Sequence, residues 1–136
     1  MEPSAWGALE ASVHSVLKNP GDAECIVAED DGRILGSVFL YPTGKASYNS
    51  GDAVPSPELR LLAVAPNARG RGVGRALVEE CIRRARASGA TELGLHTSKS
   101  LATALALYES MGFARAPERD FHPEGAELVQ GYRLRL

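Results

Sequence analysis

Arginine and glycine dominate one short stretch of the chain, residues 69–75 (RGRGVGR). Glycine has no Cβ, so a backbone rich in it can approach a ligand closely. The apolar run before it, at 59–64, predicts a buried strand, and the apolar periodicity after it predicts a helix over 73–88. The N–H groups of a helix's first turn have no partner inside the helix and favour an anion. Strand, loop and helix start together predict a cradle for a pyrophosphate, with positive charge from Arg69, Arg71 and Arg75.

The composition indicates one domain over residues 1–136, with a modest core. The formal net charge of −2 provides no overall basic field that would favour nucleic acid. Cys25 and Cys81 lie in apolar contexts and are predicted to be buried, reduced thiols. No apolar run approaches the roughly 20 residues of a membrane-spanning helix, and the first residues lack the features of a signal peptide. We therefore expect a cytoplasmic protein without a nucleic-acid or membrane partner.

Strands and helices alternate along the chain, which predicts a mixed α/β sheet with helices packed on it. Apolar residues at helical spacing predict a first helix over 4–18, and strands at 25–28 and 34–41 predict a hairpin. Residues 42–57 have no periodicity and are expected to form a long loop. The unit 59–96 is expected to be a right-handed parallel crossover. The remaining predictions are a strand at 93–96, a helix capped by Ser98 or Ser100 and ended by Gly112, and a last strand at 128–136.

Two segments resemble the GNAT superfamily of N-acetyltransferases. Residues 58–66, followed by 69–74, match the family's coenzyme signature, Arg/Gln-x-x-Gly-x-Gly/Ala, and residues 104–113 match its second coenzyme-side helix, with Tyr and a Gly-Phe ending. The resemblance covers residues 24–114. It implies a mostly antiparallel central sheet with a parallel strand–helix–strand coenzyme unit and helices on both faces.

The resemblance also implies the co-substrate, acetyl-CoA. The backbone of the loop would hold the pyrophosphate, the strand before it would bind the pantetheine arm, and a bulge in that strand would leave an N–H free for the thioester carbonyl. The implied coenzyme-binding residues are Leu62, Ala63, Val64, Arg69, Gly70, Arg71, Gly72, Val73, Gly74 and Arg75.

Tyr108 and Glu58 are the candidate catalytic residues. A free phenol has a pKa of about 10, so it is protonated at neutral pH and suits a thiolate leaving group. The alternative is that Tyr108 only fills the apolar stripe of its helix. Glu58 matches a position that the histone-acetylating branch of the family uses as a base, or else it is a solvated strand end. Arg60 shares its strand face and either pairs with Glu58 or binds an acidic group of the substrate.

Two histidines are candidates for the acceptor side. His96 ends the strand after the loop helix, and His122 lies in a C-terminal loop; each is either a substrate contact or a structural residue. Three scattered histidines and two buried cysteines do not make a metal site, so we expect no metal.

The chain departs from the family pattern at two places. The family's first strand and first helix are not recognisable before the hairpin, so we expect a shortened N-terminus and a bare sheet edge, which would favour a homodimer. Leu101 also stands where many members have an asparagine that contacts the coenzyme.

The resemblance implies an enzyme that transfers the acetyl group of acetyl-CoA to a primary amine, on a small molecule or peptide, by direct attack in a ternary complex. The alternative is a catalytically impaired module that binds or senses acyl-CoA together with a partner.

Overall fold

The computed structural model describes residues 12–18, 23–42, 56–98 and 101–136, the first of these as backbone only. Residues 4–11, most of the predicted loop at 42–57, and Ser100 lie outside the described residues. The strands are β1 (Ser12–Lys18), β2 (Glu24–Asp30), β3 (Arg33–Tyr41), β4 (Glu58–Val64), β5 (Glu92–Thr97), β6 (Ala114–Arg115) and β7 (Gln130–Arg135). The α-helices are α1 (Val73–Ala87) and α2 (Ala102–Ser110), and short 3-10 turns span Pro66–Ala68 and Pro117–Arg119.

The predicted first helix is wrong over its second half, because residues 12–18 form strand β1. This strand pairs antiparallel with β2, from Ser12 opposite Glu29 to Lys18 opposite Glu24. The helical spacing of apolar residues was misleading, since the segment SVHSVLK also carries two β-branched valines and gains a backbone ladder only from a neighbouring strand.

The chain forms two compact units. The first unit comprises Met1–Tyr41 and Leu59–Arg84. In the first unit β1, β2, β3 and β4 are neighbours in that order. The predicted hairpin of β2 and β3 is confirmed, with Asp31 and Gly32 at φ of 52° and 78° in its turn. The ladder shifts register between Ala28 and Glu29.

The core of the first unit is formed by apolar side chains of its strands and of α1. Glycine at position 36 lets β3 lie close to β4 and to the start of α1, since a Cβ built there would lie 2.7 Å from the carbonyl oxygen of Ala63 and 3.0 Å from Val73 Cγ1. Both cysteines are buried and reduced, as predicted, and burial raises the pKa of the Cys81 thiol to about 12. The most deeply buried side chains of the unit include Ile26, Val38, Leu59, Val73, Leu77, Val78 and Cys81.

The second unit comprises Pro42–Glu58 and Ala85–Leu136. Here β5 pairs antiparallel with β7, β7 pairs antiparallel with β6, and Glu58, the first residue of β4, pairs in parallel with Gly94 of β5. The expected mostly antiparallel sheet with one parallel strand–helix–strand connection is therefore confirmed.

The glycines predicted to end the two helices are found at the helix ends, whereas the start of α2 differs from its prediction. Gly89 and Gly112 both have positive φ, at 89° and 99°, two positions after the last residue of their helices, as residues that terminate helices commonly do. The start of α2 differs, because Leu101 occupies the N-cap position and a leucine side chain cannot cap. Within the ranges described above, no helix has the length and apolarity that crossing a membrane requires.

Candidate functional site

The loop between β4 and α1 presents backbone rather than side chains. Gly70 and Gly72 have φ of 79° and 82°, and a Cβ at either position would meet no atom within 4 Å. The left-handed conformation favours glycine at these two points. The first backbone bond of α1 runs from the N–H of Ala76 to the carbonyl of Gly72, at 3.0 Å, so the N–H groups of Val73, Gly74 and Arg75 precede it. The loop and helix start thus have the form of an anion cradle.

The arginines of the loop stand at the surface of the first unit. Arg69 is exposed, Arg71 lies 4.0 Å from the Asp30 carboxylate, and Arg75 lies 3.5 Å from that of Glu79. These pairs are partly exposed to solvent and long, and therefore weak. An incoming phosphate can compete for both guanidinium groups.

The strand that leads into the loop is locally distorted. Leu61 has a φ of 58°, in the left-handed region, and is 64% exposed. A leucine in this conformation stores strain and interrupts the regular alternation of the strand. After Glu58, Leu59 and Arg60, which are buried, Leu61 and Ala63 are exposed, while Leu62 and Val64 are half-buried.

Glu58 and His96 form a buried pair in the second unit. The Nδ1 atom of His96 lies 2.6 Å from Oε2 of Glu58, and the two side chains are 3% and 2% exposed. The other ring nitrogen, Nε2, lies 2.9 Å from the backbone carbonyl oxygen of Arg119. Glu58 is therefore not a solvated strand end, and the structure brings it together with His96.

Arg119 holds the segment 117–121 against β5 and β7. Its guanidinium donates to Glu92 and lies 3.5 Å from Ser56 Oγ. Two glycines leave room for it: a Cβ at Gly94 would lie 3.0 Å from Arg119 Nη1, and one at Gly131 would lie 2.7 Å from Arg119 Cβ. Burial tends to raise the pKa of Glu92, but the hydrogen bond and charge of Arg119 hold it below its usual value.

The same segment has a second anchor at Asp120. Its carboxylate accepts two bonds of 2.7 Å from Arg115 and one of 2.8 Å from the N–H of Gly131. The Arg115 hydrogen bonds hold the pKa of Asp120 below its usual value. The ring of Phe121 meets His96 edge-on, 5.3 Å between centroids. Ion pairs, backbone bonds and a ring contact thus fix the segment that carries the Arg119 carbonyl.

Tyr108 is the buried residue of α2, at 5% exposure. Its ring packs edge-on against Phe113, with centroids 5.8 Å apart. This packing restricts the side chain, as both the catalytic role and the core-filling alternative require.

The two remaining candidate residues are Arg60, which contacts an aromatic ring, and His122, which is exposed. The Arg60 guanidinium lies over the ring of Tyr41, 4.2 Å from its centroid, a cation–π contact. His122 is exposed. Among the described residues, no three His, Cys, Asp or Glu side chains are grouped as metal ligands would be.

Sequence reasoning missed the part played by Arg119. In the segment 119–123 the sequence indicated His122 as a candidate, whereas Arg119 and Asp120 make the contacts to β5 and β7. The available signal was the pair of strand glycines, Gly94 and Gly131, which leave space for a neighbouring group.

Comparisons with known proteins agree with this geometry. A model of the acetyltransferase (GNAT) family matches residues 2–113. An "IAA acetyltransferase" of Azospirillum brasilense is 32% identical over 79% of this chain and 65% of its own length. The human protein "N-acetyltransferase 8B" is 31% identical over 71% of this chain and 40% of its own length. The chain thus spans less than two thirds of the length of either relative.

A solved structure shares the fold at lower sequence identity. A GNAT family acetyltransferase from Elizabethkingia anophelis, solved with acetyl-CoA bound, superposes with a TM-score of 0.69 over 93% of this chain and 98% of that one, at 18% identity. With a family model matched over most of its length, the chain belongs to the GNAT acetyltransferase family.

Proposed function

We propose that this protein is an acetyl-CoA-dependent N-acetyltransferase that acts on a primary amine of a small molecule or peptide. The observation that carries the proposal is the loop before α1, where two left-handed glycines and a helix start present backbone N–H groups between arginine side chains. A pyrophosphate fits that chemistry, since it can accept from several N–H groups at once.

The coenzyme contacts follow the order of the chain. Residues 69–75 hold the pyrophosphate, with Arg71 released from Asp30 and Arg75 from Glu79 when the phosphates bind. The half-buried backbone of Leu62 and Val64 binds the pantetheine arm, and the N–H of Ala63 or Leu62 donates to the thioester carbonyl. The distortion at Leu61 supports this assignment, because it frees strand backbone for a ligand.

The reaction is direct attack of a neutral amine on the thioester carbon. The new C–N bond forms as the carbonyl oxygen takes negative charge, which strand N–H groups stabilise. The C–S bond then breaks, and the thiolate takes a proton from the Tyr108 hydroxyl while the amine loses one to Glu58. The buried position of Tyr108 on α2 supports its role, because packing against Phe113 aims the phenol in one direction.

The names of the relatives differ in the acceptor, as in "IAA acetyltransferase" and "Mycothiol acetyltransferase", so the proposal extends only to a primary amine. The Elizabethkingia structure was solved with acetyl-CoA, which supports acetyl-CoA as the co-substrate here. The chain's weakly acidic balance, with a net charge of −2, is compatible with a cationic amine.

The test is release of free thiol from acetyl-CoA in the presence of a panel of amines and peptide N-termini. Tyr108→Phe should lower kcat by about a hundredfold or more, as expected for loss of a general acid, with little change in the KM for acetyl-CoA. Tyr132→Phe removes a hydroxyl from another buried tyrosine and should leave turnover unchanged. Coenzyme binding without turnover on any amine would contradict the enzyme and favour the acyl-CoA-sensing module.

A further inference from the structure

The contact between Glu58 and His96 requires a proton. A carboxylate oxygen and an imidazole nitrogen 2.6 Å apart would repel each other through their lone pairs if neither carried hydrogen. With one proton between them, the same contact is a short hydrogen bond inside a buried site. The observed geometry is therefore that of a pair that holds a shared proton.

The backbone carbonyl of Arg119 determines which nitrogen of His96 shares the proton with Glu58. A backbone carbonyl only accepts hydrogen bonds, so Nε2, at 2.9 Å from it, carries a hydrogen in either charge state of the ring. Nδ1 is then the ring atom that gains or loses a proton, and it faces Glu58. This carbonyl has the role of the third group that orients a histidine in a catalytic pair.

We propose that Glu58 and His96 act together as one proton acceptor for the substrate amine, with His96 as the positioning residue and the Arg119 carbonyl as its anchor. The inference rests on the function proposed above, and it replaces a lone Glu58 base by a pair. In the proton-free pair, Oε2 of Glu58 and Nδ1 of His96 face each other with unshared electrons. Taking up a proton turns their repulsion into a hydrogen bond, so the pair is a stronger proton acceptor than Glu58 alone.

The proton balance is simple. A neutral amine attacks the thioester carbon, and the proton that its nitrogen then loses passes to the proton-free pair, directly or through one water. The proton then lies between Oε2 and Nδ1, which is the arrangement in the structure. Its release to solvent restores the proton-free pair for the next turnover.

Two charged residues of the segment 117–121, close to the pair, each have a partner of opposite charge. On the segment 117–121, Arg119 is paired with Glu92 of β5. Asp120 is paired with Arg115 of β6, and its carboxylate is close enough to His96 for a charge interaction. Phe121 covers one edge of the imidazole. Changes in the charge of the pair are therefore not masked by an uncompensated neighbour among these groups.

The test compares two variants that each keep one of the two hydrogen bonds. His96→Asn places an amide where Nδ1 lies, facing Glu58, and His96→Gln extends an amide toward the Arg119 carbonyl; neither amide can take up a proton. Wild type, both variants and Glu127→Gln, an exposed control in the same unit, are assayed with one amine across pH. Using a single amine makes its own titration common to all profiles.

Wild-type kcat/KM for the amine should rise with pH as the pair loses its shared proton. Both His96 variants should lose that limb of the profile and fall by about tenfold to a hundredfold near neutral pH, with the KM for acetyl-CoA unchanged. Glu127→Gln should follow the wild type. Unchanged profiles in the His96 variants would overturn the inference while leaving the proposed function standing.

Nitrogen-15 NMR of labelled histidine provides a readout that does not depend on turnover. The His96 signals should show hydrogen on Nε2 throughout, and the Nδ1 signal should change in Glu58→Gln, which alters its partner. A hydrogen fixed on Nδ1 at every pH, with Nε2 bare, would contradict both the Arg119 anchor and a proton that the pair takes up and releases. No turnover by the wild type on any amine would instead contradict the proposed function, and with it the catalytic role of the pair.

Discussion

At the scale of single residues, the chemistry lies in groups whose partners are far apart in sequence. Glu58 and Tyr108 were predicted from family motifs, and both are buried. The partner of Glu58 was not predictable, because nothing local links it to His96; the parallel pairing of Glu58 with Gly94 brings the two strands together. Arg60 lies over the ring of Tyr41, and the hypothesis that it pairs with Glu58 stays a prediction.

Gly36 gives a prediction about packing at one atom. Gly36→Ala would place a methyl group 2.7 Å from the Ala63 carbonyl oxygen, a backbone atom that cannot rotate away. We expect a loss of about 1–3 kcal/mol in the free energy of unfolding, typical of overpacking. Urea denaturation measures it as a lower midpoint at unchanged slope.

Arg33→Ala is the control for this change, since Arg33 begins the same strand and is exposed. Its unfolding free energy should stay within about 0.5 kcal/mol of the wild type. Equal midpoints for Gly36→Ala and the wild type would mean that β3 and β4 do not approach as closely as described.

At the scale of elements, local signals predicted most of the structure. The hairpin of β2 and β3 follows from two short apolar runs around an acidic Gly turn, and α1 from an uninterrupted apolar stripe that ends at Gly89. Strand β1 was mispredicted because its conformation depends on pairing with β2, which its own spacing does not reveal. The anchoring of the segment 117–121 was not predicted either, because it depends on ion pairs with other elements of the second unit.

The link between α1 and β2 predicts a pH effect on stability. Glu80 accepts bonds from Arg83 and Arg84, and Arg84 also reaches Glu24 on β2. The Arg83 hydrogen bond is the largest influence and lowers the pKa of Glu80 from its usual 4.5. A carboxyl whose pKa is lower in the folded state stabilises the protein above the unfolded value, and this stability is lost as the pH falls through the folded value.

Glu80→Gln should therefore cost about 1 kcal/mol at neutral pH, reduced by partial solvent exposure. The difference from the wild type should shrink as the pH falls below 4.5. Unfolding by urea at several pH values measures both. A difference that is constant across this range would show that the Glu80 charge does not contribute. Glu79→Gln, which removes only the 3.5 Å contact to Arg75, should cost less.

The packing of the segment 117–121 against Gly131 of β7 predicts that a substitution at Gly131 moves the backbone carbonyl of Arg119. Gly131→Ala would place a Cβ 2.7 Å from Arg119 Cβ and 3.0 Å from the Ala116 carbonyl oxygen. We expect it to displace the Arg119 carbonyl from His96 and to change the His96 nitrogen-15 signals.

Gly125→Ala is the matched control, because a Cβ there meets open space although its φ is 76°. It should cost about 1 kcal/mol of backbone strain and leave the His96 signals as in the wild type. Identical His96 signals in Gly131→Ala and the wild type would contradict the anchoring role of Arg119.

At the scale of the whole molecule, family membership was predictable and the acceptor was not. The coenzyme loop and the Tyr108 helix are local motifs with fixed spacing, and they identified the family that the comparisons then matched over residues 2–113. An acceptor site is assembled from loops, and most of the long predicted loop lies outside the described residues. The homodimer and the cytoplasmic location stay predictions.

We predict that this chain moves an acetyl group from the sulfur of acetyl-CoA to the nitrogen of an amine. The most direct measurement incubates the full chain with acetyl-CoA labelled in its acetyl carbons and the amine panel, and identifies labelled products by mass spectrometry. We expect label in an amide of at least one amine, in amounts equal to the CoA released and reduced in Tyr108→Phe. Label found only in acetate, or retained in acetyl-CoA bound to the protein, would contradict it.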